Sequence, residues 1–139
     1  VNPFKLLFKT RIIRRRITNK GARGEYLKYK ETARELVHER LAHFNQFYNF
    51  KYNKVFIKNT KTKWGSCSSK GNLNFSYKIV LLEPELQDYL IVHELCHLAE
   101  MNHGKGFWDL VGQQIPNAVA LHRKLRYTTV YGKTIKSGY

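Results

Sequence analysis

The chain has 139 residues, 42% of them apolar, which suits one domain with a single core and contains no apolar run long enough to cross a membrane. Its net charge of +15 is unevenly spread: residues 1–30 hold ten bases and one acid, residues 31–121 ten and nine, and residues 122–139 five and none. Basic ends of this kind, with Arg14-Arg15-Arg16 in the first, are either solvated tails or contacts for nucleic acid or another polyanion.

Residues 1–24 read as a basic arm or a truncated element, and 25–139 as the folded domain. No signal-peptide pattern follows Val1-Asn2-Pro3-Phe4, and the only methionine is Met101. The expectation is a cytoplasmic protein whose chain starts after a removed initiator or inside a longer parent.

From about Glu25 to Tyr48 the pattern is helical. Ala33, Leu36, Val37, Leu41, Phe44, Phe47 and Tyr48 recur at i, i+3, i+4 and predict one buried face. Val55-Phe56-Ile57 predicts a short strand. Lys61 to Gly71, dense in Gly, Ser, Thr and Lys around Trp64, predicts a loop. Asn72 to Tyr77 alternates polar and apolar and predicts a half-buried strand. Ile79 to Leu82 leads back toward the core. Pro84 opens a second helix running through Leu98, apolar on most sides and so buried. Asn102-His103-Gly104 has turn chemistry. Phe107, Trp108 and Val111 predict a third helix that stops before Pro116. Residues 117–131 predict a fourth, with Val119, Leu121, Leu125 and Tyr127 inward. Helix, short strands, then helices indicate an α+β domain.

Within the second helix stands His93-Glu94-Leu95-Cys96-His97, the pattern H-E-x-x-H. Residues four apart share a helix face, so both imidazoles reach one metal ion. Two histidines and a glutamate inside an apolar helix are costly unless something binds them. A metal there brings the pKa of a water down toward about 7, and Glu94 is placed to take its proton. Two residues compete as third ligand. Glu100 continues the His93–His97 stripe, but three ligands along one stripe are nearly collinear and fit a tetrahedral ion poorly. His103 lies where the chain turns and can approach from outside the helix, so it takes the ligand role and Glu100 is left to orient a ligand or face solvent. His38, His43 and His122 read as surface or packing residues. Cys96 reads as core and Cys67 as a loop residue, both free thiols, and a Cys/His nucleophilic pair is the weaker use of the histidines.

The segments Thr62-Lys63-Trp64-Gly65-Ser66-Cys67-Ser68, Gly71-Asn72-Leu73-Asn74-Phe75, His93 to Leu98, and Asn102-His103-Gly104 with Phe107-Trp108 resemble the YgjP-like (DUF45) metallopeptidase family, related to the SprT and WLM zincins. The resemblance implies a minimal zincin-like fold, with a short, mainly antiparallel sheet packed on the H-E-x-x-H helix. It implies one Zn2+ per chain on His93, His97 and His103, with Glu94 catalytic, and a peptide or protein substrate. It also implies that the strand Asn72–Tyr77 borders the cleft, where substrate could add as a further strand. Glu100, Trp64, Asn74 and Asn102 are the further candidates around the site, Trp64 being alternatively a core anchor for its loop. Two other readings stand beside the peptidase. One is a metal-dependent nucleotide phosphohydrolase of pyrophosphatase type. The other is a nucleic-acid-associated module with a structural zinc, disfavoured because such sites are four-coordinate and rich in cysteine.

Overall fold

The computed structural model describes residues 22–130 and 133–134. Most of the basic arm, residues 1–21, and Lys136 lie outside this span, and with the arm the polyanion-binding expectation for the first end.

Helix α1, Ala22–Tyr48, starts inside the stretch assigned to the arm. It buries Tyr29, Ala33, Leu36, Val37, Leu41, Phe44 and Tyr48, the stripe that the spacing predicts. Phe47 departs from it at 54% exposure. It flanks the stripe in the last turn and meets Tyr48 only edge-on, 5.0 Å between ring centres. The helix stops at Asn49, whose φ of 54° is the left-handed conformation that asparagine tolerates. Asn45 clamps the exit: its Nδ2 donates to the Phe50 carbonyl and its Oδ1 accepts from the Phe50 N–H, both at 2.8 Å.

Three strands follow: β1, Val55–Lys58; β2, Gly65–Cys67; and β3, Leu73–Ser76. Their order is β1-β3-β2, parallel between β1 and β3 and antiparallel between β2 and β3. The sheet against the helices is therefore mixed, while the antiparallel pairing that was expected holds for its β2 side. Strand β2 falls inside the predicted loop. Gly-Ser-Cys carries little strand propensity, and the strand exists because β3 offers it main-chain bonds. Ser76 N–H donates to the Trp64 carbonyl at 2.8 Å, and Ser68 N–H to the Asn72 carbonyl at 2.9 Å. Gly71, at φ 78°, makes the turn between them.

The register puts Ile57, Phe75 and Gly65 in one row and Phe56, Asn74 and Ser66 in the next. The first row faces the core. A 3-10 turn, Tyr77–Leu81, then buries Tyr77, Ile79, Val80 and Leu81. Helix α2, Pro84–Cys96, begins with proline at its first position, as expected. It is enclosed by α1, β2, α3 (Lys105–Gly112) and α4 (Ala118–Arg126). Side chains tie the layers: Gln87 Nε2 donates to the Ile79 carbonyl at 3.0 Å, and the Tyr48 hydroxyl to the Leu110 carbonyl at 2.7 Å.

Helix α4 is shorter than the predicted 117–131. The β-branched run Thr128-Thr129-Val130 leaves the helix, and Thr129–Val130 (β4) pairs with Lys133–Thr134 (β5). Its buried stripe is Ala118, Leu121 and Leu125; Val119 and Tyr127 are exposed, one on the next face and the other past the helix end. No helix of the described residues is long and apolar enough to cross a membrane.

Candidate metal centre

Because the second half of α2 is covered on every side, its polar residues are buried with it. His93 and Glu94 are fully buried and His97 nearly so. The chain turns after Cys96, with Glu100 N–H bonded to the Cys96 carbonyl at 3.0 Å. It then brings the more exposed His103 back over the two helix histidines. His93 Nε2 lies 3.1 Å from His97 Nε2 and 3.2 Å from His103 Nε2. With Zn–N bonds of about 2.0–2.1 Å, two nitrogens on a tetrahedral ion stand about 3.3 Å apart. The three ring nitrogens thus fit a single tetrahedral metal ion, and the three side chains form a cluster able to hold one.

The two helix histidines are held from behind. His97 Nδ1 lies 2.8 Å from the Glu100 carbonyl. A carbonyl only accepts, so this nitrogen carries the hydrogen and leaves the Nε2 lone pair toward the cluster. His93 Nδ1 lies 2.8 Å from the Tyr89 hydroxyl, which is also 3.0 Å from His122 Nδ1. Phe107 on α3 stacks on His97, 4.5 Å between ring centres and 19° between planes, and meets His93 and His103 edge-on. Burial lowers the pKa of His93, His97 and His103; for His93 it reaches about 2, with further lowering from His97, His103 and His122. The lowering favours the neutral form, the state in which imidazole binds metal.

Glu94 points across the helix at β2, its Oε1 4.0 Å from His93 Nε2. Gly65 makes room for it: a Cβ there would meet the Asn74 carbonyl at 2.9 Å, Glu94 Cγ at 3.1 Å and Oε1 at 3.2 Å. Glu94, His97 and His103 line a cleft of about 180 Å³ whose other wall is Lys63, Gly65 and Cys67. Cys67 is thus at the cleft and not in a detached loop. Its pKa is pushed up to about 11 by burial and then by Glu94, so it stays a thiol. Both cysteines are free.

Strand β3, expected to border the cleft, is central, and its two sides are taken by β1 and β2. The edge beside the cleft is β2. Of the remaining candidates, Trp64 is wholly buried as a core anchor. Asn74 spends its amide on Ser66 Oγ at 3.1 Å. Asn102 is exposed. Glu100 touches His97 through its carbonyl, while its exposed carboxylate leans toward Gly106. The sequence reading passed over Tyr89, Gly65 and the contact of His122. Tyr89 was detectable, since it sits four residues before His93 on the same stripe. His122 had no such signal; only the packing of α4 on α2 brings it near.

The profile of the YgjP-like metallopeptidase domain matches residues 16–128. The chain belongs to the YgjP-like metallopeptidase family. It is accordingly a hydrolase of the metallopeptidase kind, and its family implies a metal cofactor. Two solved archaeal structures are similar to this YgjP-like chain. The crystal structure of the metallopeptidase zymogen of Pyrococcus abyssi abylysin superposes with a TM-score of 0.59 at 24% identity, covering 65% of this chain and 91% of that one. The metallopeptidase zymogen of Methanocaldococcus jannaschii jannalysin gives 0.51 at 26% identity, covering 67% and 92%. No curated protein sequence matches the chain.

Proposed function

We propose that this YgjP-like chain is a zinc-dependent peptidase in which His93, His97 and His103 hold one Zn2+, Glu94 is the general base and β2 receives the substrate. The reading is carried by the convergence of three neutral ring nitrogens at 3.1 and 3.2 Å, with a buried carboxylate beside them and an edge strand across the cleft. Zinc, when bound, polarises the scissile carbonyl and lowers the pKa of the attacking water. Glu94 takes a proton from that water as its oxygen adds to the carbonyl carbon. It returns the proton to the amine nitrogen as the C–N bond breaks.

The substrate lies along β2. Ser76–Trp64 and Ser68–Asn72 are bonded pairs of the antiparallel ladder, so Ser66 also turns its main chain to β3. Cys67 turns its main chain the other way, toward the cleft side, where an extended peptide can bond to it. Zinc-loaded protein should hold one ion per chain and cut members of a peptide library while leaving a nucleotide panel intact. Glu94→Gln should keep the zinc and lose about 10²–10⁴-fold in rate. Full activity in that variant overturns the mechanism; turnover of nucleotides alone overturns the substrate.

A further inference from the structure

Between Leu41 and Leu82 the chain has no aspartate or glutamate and seven lysines. Lys51, Lys54, Lys58, Lys61, Lys63 and Lys70 are all exposed, and none makes an ion pair among the described residues. Several bases on the helices are paired. Arg40 pairs with Asp88, Lys105 with Asp109, and Lys124 with Glu83 and Glu85. Three of these lysines, Lys61, Lys63 and Lys70, flank β2 in the chain. Lys61 and Lys63 lead into it, and Lys63 is a cleft wall. Lys70 lies in the turn that leaves it. Lys54 is fixed beside that turn, its N–H 3.2 Å from Asn72 Oδ1. A three-residue strand is about 10 Å long, so an extended segment lying on it meets positive charge before and after the metal centre.

Resting on the peptidase reading, we propose that the site selects acidic segments, with Asp or Glu two or three residues to either side of the scissile bond. A purely solvated face needs no such single-sign arrangement at the ends of the edge strand beside the cleft, and among the described residues none of these lysines has an ion-pair partner. Selection follows from charge complementarity, which also speeds encounter and is screened by salt.

The test uses three matched peptides, acidic, neutral and basic at those positions. Cleavage is followed with the zinc-loaded parent, and binding with zinc-loaded Glu94→Gln. The acidic peptide should lead the basic one by about 10-fold or more in kcat/KM and in affinity at low salt. The lead should shrink at high salt, and Lys63→Glu should reverse the order. Equal treatment of the three peptides, or an order that ignores Lys63→Glu, overturns the proposal. So does oligonucleotide binding that charge reversal at Lys51, Lys54 and Lys70 abolishes with no peptide preference. Acid-selective binding without cleavage by the parent leaves the selectivity standing and removes the peptidase reading.

A separate observation concerns the ligands. Tyr89 has one hydroxyl hydrogen and two imidazole nitrogens, His93 Nδ1 and His122 Nδ1, at 2.8 and 3.0 Å. If the hydrogen goes to His122, the hydroxyl oxygen accepts from His93 Nδ1–H, and His93 Nε2 keeps its lone pair toward His97 and His103. If it goes to His93, a hydrogen is forced onto Nε2, into the cluster. The geometry points to Tyr89 and His122 as positioning residues that fix His93 in the metal-accepting tautomer before the ion arrives.

Long-range 15N–1H spectra of the metal-free protein should show His93 protonated at Nδ1, and Tyr89→Phe should mix the tautomers while keeping the ring's packing. Zinc affinity, read by chelator competition, should fall about 10–100-fold in Tyr89→Phe. It should fall in His122→Leu and be partly restored in His122→Asn, whose Oδ1 can accept the same hydrogen. An unchanged tautomer and affinity in Tyr89→Phe overturns the inference, and equal affinities for the two His122 variants overturns the role of His122. A parent that binds no zinc removes the zinc reading, while the tautomer spectrum still decides this one.

Discussion

The two walls of the cleft are built by different means. The helical wall gathers His93, Glu94 and His97 on the enclosed second half of a helix, and its exposed charges are cancelled in pairs. The sheet wall contributes main chain, a glycine and Lys63, which makes no ion pair among the described residues. A metal centre and its base need fixed geometry and little water, since each donor must be aimed and none can be left charged and unpaired. Recognition of an extended chain needs the opposite, an accessible edge and accessible charge. The difference teaches that, on the proposed reading, so small a domain puts its chemistry on the rigid helix and its selectivity on a short edge strand.

The largest expected effect tests the helical wall. His103→Ala should lower zinc affinity by more than the roughly 10–100-fold typical of losing an outer partner. Glu100→Ala should stay close to the parent, because it is the carbonyl of Glu100 that holds His97. Zinc dissociation constants of both variants decide it; the reverse order would make the site His, His, Glu. Next comes the meeting of the walls. Gly65→Ala should push the Glu94 carboxylate aside and lower kcat by about 100-fold with zinc content retained. A Gly65→Ala enzyme of normal kcat would mean that the base is not held by β2.

A smaller effect follows from burial. The folded-state pKa values of His93, His97, His103 and His122 are all depressed, by burial first. Unfolded histidines take up protons near pH 6.5, so below that the unfolded chain binds more protons than the folded one. The stability this contributes to the metal-free protein is present above about pH 6.5 and is lost as pH falls toward the folded values. Urea midpoints at pH 7.5 and 5 should show the loss; equal midpoints would contradict the buried, neutral cluster. The smallest effect contrasts the surfaces. Arg40→Ala breaks the two-bond pair with Asp88, 2.7 and 2.9 Å, and should cost about 1 kcal/mol. Lys51→Ala, which breaks no pair, should leave the urea midpoint in place.

Much of this was legible in the chain itself, and for local reasons. The i, i+3, i+4 stripe of α1 and the apolar run after Pro84 are helical periodicities, and H-E-x-x-H states its own geometry because helix pitch puts residues four apart on one face. The same pitch made the choice of His103 over Glu100 arguable beforehand. Other features depend on partners far along the chain. Strand β2 has no propensity of its own and forms because β3 supplies hydrogen bonds; that in turn makes β3 central and β2 the edge strand beside the cleft. Val119 and Phe47 fit a helical pattern and are exposed, since how wide a face is covered depends on what packs there. His122 reaches Tyr89 across 33 residues only because α4 lies on α2. The sequence by itself determined the helix and marked out the histidines that cluster at its end, through patterns that repeat within a few residues. The tertiary structure alone decided which strand is the edge, which glycine faces the base and which tyrosine and histidine stand behind His93, because each of these rests on contacts between segments that no local pattern joins.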